Sequence, residues 1–179
     1  MADDRLELTN LHRHHPGVPE TVEGFYAVAA AVCLQRHRSP PGVIDVTLRD
    51  KKGSYRADWR PPSDEEERSF GNKTDATCFG AYTVALAAVF AHMGLKAIGR
   101  SGTGTGSDWY LVPADAEVEE WYLEVAWRLE VSGSDDLGTS RLHSRIKEKV
   151  EQARRGHSRL PAYAAVVSFA SATVTFERV

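Results

Sequence analysis

Cysteine is nearly absent from this chain, and its scarcity excludes two classes at once. Cys33 and Cys78 cannot build the disulfide framework of a small secreted domain. Two thiols alone do not make a structural zinc site either. Charge of one sign is also lacking. Twenty-two Lys and Arg stand against 25 Asp and Glu, a formal net charge of −3, which excludes a polyelectrolyte that coats DNA with its whole surface. No apolar run reaches the ~18 residues of a membrane span. The first residues show no basic segment followed by an apolar one, so neither a signal peptide nor a membrane partner is expected. The expected setting is the cytoplasm, with reduced thiols. There is no internal repeat, and low complexity is confined to one glycine-rich loop.

What is present suits a packed core. The 179 residues are 42% hydrophobic and 26% charged, ordinary for a globular chain that buries about 70% of its unfolded surface. Residues 1–70 read as an N-terminal elaboration of one compact domain rather than a domain of their own. It opens with a polar, loose lead-in of about 20 residues. Its His12, His14 and His15 sit beside Pro16 and Gly17, where a mobile end offers no support to a metal. Glu20–Arg38 is the first helix, capped by Thr21, with Phe25, Val28, Ala29, Val32 and Leu34 on its apolar face. A hairpin follows, with arms Val43–Leu48 and Ser54–Trp59 and Gly53 in the turn. An acidic connector, Asp64–Arg68, closes this part as a solvated face or short helix.

Residues 71–179 are expected to form an α/β (α+β) core: a central mixed sheet flanked by helices in the order α-β-β-β-α-β-β. Thr74 or Asp75 caps a helix to Met93 that is apolar nearly all round, Cys78 included, and Gly94 stops it. Strands are expected over Leu95–Gly99, Asp108–Val112 and Glu119–Val131, the last long and alternating at Tyr122, Glu124, Ala126 and Arg128. Thr139 or Ser140 caps a helix through Arg155, with Leu142, Ile146, Val150 and Ala153 as its stripe and Lys149 beside it. Leu160–Phe169 and Thr173–Val179 are the last strands, the first central.

Gly102–Ser107 is the most visible motif. It lacks the Gly-Lys-Ser/Thr of a Walker loop, and a strand rather than a helix follows, so it reads first as a tight inter-strand connection that leaves anion contact open. Asp108 opens a strand just after that loop. Glu124 and Glu130 are six apart on the long strand and share a face; Glu124 reads as solvated, while Glu130 stands at a strand end where sites gather. Convergent carboxylates could hold a hard cation, Mg2+ or Mn2+. Lys149 either snorkels to water or meets one of them. Residues 108–136 carry nine Asp or Glu against one Arg, and 141–159 seven Arg or Lys against two Glu. The first suits a protein partner, the second nucleic acid.

The element order from Thr74 to Val179 resembles the core of the PD-(D/E)XK, or restriction-endonuclease-like, superfamily. The resemblance implies that an Asp opening the second core strand and a Glu-X-Lys on the third bind magnesium and activate water for phosphodiester hydrolysis. Asp108 fits the first position. Glu130-Val131-Ser132 fits the second in part, since Ser132 stands where the lysine belongs. Some members carry that lysine on the following helix, which implies Lys149 as its equivalent, with Arg145 and Gln152 for phosphate contact. Two readings follow: a magnesium-dependent nuclease with Asp108 and Glu130 as metal ligands and Lys149 beside the reacting water, or a catalytically degenerate module that binds a protein partner in a larger complex.

Overall fold

Between Asn72 and Gly94 the chain has almost no polar face to turn outward, and it becomes the helix on which the sheet is laid. The computed structural model describes residues 4–117, 125–136, 139–156 and 158–179. Helix α3 spans Lys73–Ala88 and continues as a π turn, Val89–Met93, before Gly94 stops it in the left-handed conformation at φ 67°. Its cap is Asn72, not Thr74 or Asp75: the Asn72 Oδ1 accepts the Thr74 N–H at 3.0 Å, and a short amide side chain does this well. Lys73–Met93 is long and apolar enough to cross a membrane, and most of it is buried inside the fold.

Helix α1, Glu20–Gln35, crosses α3 through small residues. Ala29, Ala30 and Cys33 face Gly80 and Ala81, all fully buried or nearly so, and a Cβ on Gly80 would sit 3.0 Å from the Ala29 carbonyl oxygen. The helix stops before Arg38, and Pro19, with no side-chain cap, precedes it in place of Thr21. Phe25 and Cys78 depart from expectation. Both are exposed, because these ends of α1 and α3 face each other and solvent rather than the sheet.

The sheet is mixed and eight-stranded, in the order β1-β3-β2-β8-β7-β6-β5-β4. Its strands are β1 Arg5–Leu6, β2 Gly42–Leu48, β3 Lys51–Ala57, β4 Leu95–Arg100, β5 Trp109–Pro113, β6 Trp127–Ser134, β7 Ala162–Ser168 and β8 Thr173–Arg178. Strands β6 and β7 run parallel, as a crossover through α4, Thr139–Arg155, requires. Alternation on β7 shows the layers: Ala165 and Val167 join the α1/α3 core, while Ala164 and Val166 pack under Leu142, Ile146 and Val150 of α4. The two faces thus carry α1 with α3, and α4. Strand β6 begins at Trp127 and runs to Ser134, later than Glu119–Val131; Glu119–Glu124 lie outside the described residues.

The N-terminal part is more tightly built than its composition implies. Leu6, Leu8, Leu11, His15 and Val18 are buried, and the buried His15 Nδ1 accepts the Ala97 N–H at 2.9 Å. Burial and the neighbouring His14 push the His15 pKa down to about 4, so the ring is neutral and serves as a core acceptor. The hairpin joins the same sheet through parallel pairing of β2 with β8. Its loop is Arg49–Asp50, with Arg49 at φ 52°. Gly53 pairs with Val46 inside the ladder, because a Cβ there would meet the Tyr55 ring at 2.7 Å. The acidic connector does form a short helix, α2, Asp64–Ser69, closed by a capping box between Ser63 and Glu66.

Two glycines separate close packing from intrinsic propensity. A Cβ on Gly133 of β6 would lie 2.1 Å from the Thr77 carbonyl oxygen, so Gly133→Ala must push α3 off the sheet. Thermal unfolding should register a loss of about 3 kcal/mol or more. Gly24 in α1 meets nothing within 4 Å, and Gly24→Ala should instead stabilise by about 0.5–1 kcal/mol through helix propensity.

Candidate active site

Polar residues recur at every second position on the face of β6 that looks toward α4: Arg128, Glu130 and Ser132 are all buried. On the other face Leu129 and Val131 feed the α3 core. Each inward polar group therefore needs a partner, and the partners define a site. Glu130 is met by Lys149, whose Nζ lies 2.9 Å from Oε1. Both ends are well covered, with side chains 5% and 15% exposed. Lys149 also donates to Gln152 Oε1 at 2.8 Å. The lysine stem lies beside the α4 stripe, and its head meets a carboxylate rather than water.

Asp108 stands where β5 and β6 part. The pairing Trp109↔Leu129 puts it across from Glu130 one step beyond. Its N–H donates to the Leu129 carbonyl at 2.7 Å, and its Oδ2 accepts the Val131 N–H at 2.8 Å, so the side chain prolongs the ladder. Oδ1 accepts from the Tyr82 hydroxyl of α3 at 2.7 Å and lies 3.5 Å from Arg100 Nη2. Burial and the adjacent Asp108 carboxyl raise the Glu130 pKa above the usual carboxylate range, with Lys149 pulling the other way. Two carboxyls are pressed together, Lys149 compensating Glu130 at 2.9 Å and Arg100 lying 3.5 Å from Asp108.

Of these groups Arg100, Asp108, Glu130 and Gln152 line an open cleft of about 440 Å3. Asp108 and Glu130 form its floor, Arg100 with the Gly102–Ser107 loop one wall, and Gln152, Arg155 and Gly156 the other. The glycines are there for contact: a Cβ on Gly106 would approach the Gln152 carbonyl oxygen to 2.8 Å, and one on Gly156 the Thr105 oxygen to 2.0 Å. Arg128 locks this wall. Its guanidinium donates to the carbonyls of Thr105 at 2.6 Å, Ala153 at 3.1 Å and Leu160 at 3.0 Å, joining the loop, the end of α4 and the approach to β7.

The expected residues thus divide. Asp108, Glu130, Lys149 and Gln152 come together. Arg145 does not reach the cleft lining: its Nε donates to the Ser132 hydroxyl at 3.0 Å and its Nη1 to Glu148 at 3.0 Å. Sequence reasoning passed over Arg128, Tyr82, Arg100 and Arg155. The signal for Arg128 is its place two residues before Glu130 on one strand face, as the single cation of an acidic stretch. Tyr82 carries a phenolic hydroxyl on a largely apolar helix, a group that needs a partner when buried. The histidine cluster does not converge: His12 pairs with Glu23, and His14 with Glu7 at 3.0 Å. Cys33 is buried, its pKa pushed up to about 12 by burial, and burial raises that of Cys78 as well, so neither thiol is primed as a nucleophile.

Two neighbouring carboxylates suit a hard cation, which commonly takes one or two protein carboxylates and fills its shell with water and phosphate oxygens. Among the described residues no three His, Cys, Asp or Glu side chains gather, so Asp108 and Glu130 are the protein's share. The crowding that raises the Glu130 pKa is what a cation would relieve.

The raised pKa makes stability fall as pH climbs: Glu130 is most easily accommodated protonated, and the folded state is penalised as pH rises from the unfolded carboxylate range through the folded-state value. Lys149 moderates that penalty. Lys149→Met should therefore melt close to the native protein where Glu130 is protonated and increasingly below it as pH rises past the carboxylate range, with a deficit approaching the ~3–5 kcal/mol of a broken buried pair. Adding Glu130→Gln should flatten the dependence. A deficit independent of pH would contradict the pairing.

No protein-family model, curated protein or solved structure gives a significant match to this chain.

Proposed function

We propose that the protein is a divalent-metal-dependent phosphodiesterase acting on nucleic acid. The observation that carries this reading is the meeting of Asp108 and Glu130 in the lining of one open cleft that Arg100 and Arg155 also line, with Lys149 bonded to Glu130. The order α3-β4-β5-β6-α4-β7, with Asp108 at the head of the second strand and Glu130 on the third, supports the resemblance to the PD-(D/E)XK core.

Asp108 and Glu130 would hold the magnesium or manganese ion, which when bound supplies positive charge at a phosphoryl oxygen and lowers the pKa of a coordinated water. Tyr82 and the Val131 N–H keep the Asp108 carboxylate in one orientation, so little reordering is needed on binding. Lys149 orients the attacking water and offsets the negative charge that develops on the phosphate. Arg100 and Arg155, on opposite walls, are the groups positioned to take flanking phosphates. The basic helix segment 141–159 approaches the substrate through Arg155 rather than through Arg145.

One observation favours a catalytically silent module that binds a protein partner: Lys149 closes an ion pair with Glu130, and Ser132 holds Arg145, so the polar groups satisfy one another. Cleavage assays on single- and double-stranded DNA and on RNA, with Mg2+ or Mn2+, separate the two. The phosphodiesterase reading predicts metal-dependent cleavage that Asp108→Asn abolishes together with metal affinity while the fold survives. Lys149→Met should keep the metal and lose about 10²–10³ in rate. Cleavage at native rates in Asp108→Asn would overturn the site, and a native protein that cuts none of the three substrates would favour the module.

A further inference from the structure

One aromatic feature starts at Tyr82 and Arg100 of the carboxylate site and leads away from the cleft to rings that the site does not use. Arg100 sits over the rings of Tyr82 and Trp109, 4.6 and 4.8 Å from their centroids, while its guanidinium also reaches Asp108. Tyr82 adjoins Tyr26 at 5.5 Å, and Tyr26 stacks on Phe79 at 5.8 Å with an interplanar angle of 13°. Phe79 meets Phe25 edge-on at 4.9 Å, and Phe25 rests on Phe70 at 5.1 Å. Along this run the rings go from buried to open. Tyr82 and Trp109 are buried, Phe79 is half-buried, and Phe25 is 48% exposed, the one exposed aromatic ring among the described residues.

A lone exposed apolar side chain is ordinary. Phe25 differs because it ends a run of ring contacts that is buried at Tyr82 and Tyr26, is braced by Phe70 and Phe79, and carries Arg100 of the cleft lining at its other end. We propose that Phe25, backed by Phe70 and Phe79, is a stacking platform for an unpaired base of a single-stranded nucleic acid whose backbone passes Arg100 into the Asp108–Glu130 cleft. The proposal rests on the reading of that cleft as a nucleic-acid site and narrows it to a substrate class.

The occupant follows from charge and shape. Every base has a flat π face that an aromatic ring can take, and single strands present it where an intact duplex hides it in the stack. Arg100, in the cleft lining, supplies a cation for a phosphate further along the same strand. Asp75, one turn before Phe79 on α3, disfavours phosphates on the far side of the ring, so the strand is expected to run along the Arg100 side.

The test is equilibrium binding of fluorescent oligonucleotides, single-stranded and as the matching blunt duplex, by anisotropy without divalent metal so that nothing is cut. Native protein, Phe25→Ala, Phe25→Leu and Phe25→Trp are compared. Leucine keeps apolar packing on Phe70 and Phe79 but removes the π face, so it carries the test even if alanine disturbs the fold. Single-strand affinity should fall about 5- to 100-fold in the Ala and Leu variants, the range of one lost base stack. It should be retained in the Trp variant, and weaker duplex binding should be unchanged throughout. Leu binding single strands as tightly as Phe, equal losses on both forms, or a native protein that prefers duplex or binds neither would overturn the platform. The two proposals fail separately. Asp108-dependent cleavage with normal binding by Phe25→Leu removes the platform alone; Phe25-dependent single-strand binding without metal-dependent cleavage removes the hydrolase alone.

Discussion

Two carboxyls across adjacent strands, Glu130 paired with Lys149 and Asp108 with Arg100, form the constraint around which the rest of the cleft is arranged. Like charges directly opposite in an antiparallel pair are destabilising, and Glu130 is nearly fully buried as well. The fold answers on both faces of the sheet. From α4, Lys149 places its ammonium on Glu130; from α3, the Tyr82 hydroxyl binds Asp108; from the ladder itself, the Val131 N–H takes the other Asp108 oxygen. Each group is held on a helix or strand, so the geometry is stiff before any ligand arrives. The remaining imbalance, visible in the raised Glu130 pKa, is of the sign a divalent cation would correct.

The cleft walls depend on backbone contact rather than side-chain packing. Gly106 and Gly156 let the loop after β4 lie against the end of α4, and Arg128 binds three carbonyls from the segments that meet there. Several of the carbonyls at a helix C-terminus have no intrahelical partner. A buried guanidinium supplies donors to one of them, Ala153, and to the loop at once. The glycine-rich segment, read in sequence as a tight connection between antiparallel strands, joins β4 to β5 and is a structural seam.

Much of this was legible in the sequence. Periodicity alone identifies α3 and the stripe Leu142, Ile146, Val150 and Ala153 on α4, and the stripe's angle puts Lys149 next to the sheet. Asp108 stands out as a carboxylate just before a strand; Glu130, expected at a strand end, lies in the middle of β6, which runs on to Ser134. What could not be read depends on contacts between distant segments. The burial of His15 is set by the Ala97 N–H, the position of Gly53 by the Tyr55 ring, and the exposure of Phe25 by the way α1 and α3 end against each other. None of these partners is close in sequence, and local composition pointed the wrong way at each. The expected continuous strand through Val131 does not hold at Val125 and Ala126, which lie outside β6; Glu119–Glu124 lie outside the described residues.

The claim that Asp108 and Glu130 form one cation site is tested most directly by the Glu130 carboxyl itself. Carbon-13 NMR of labelled glutamate, with the resonance assigned through Glu130→Gln, gives its titration midpoint with and without Mg2+. The midpoint should lie above the usual carboxylate range in the free protein and drop clearly when the ion is added, with no such drop in Asp108→Asn. An unshifted midpoint in the free protein, or one indifferent to Mg2+ in the native chain, would contradict a shared site.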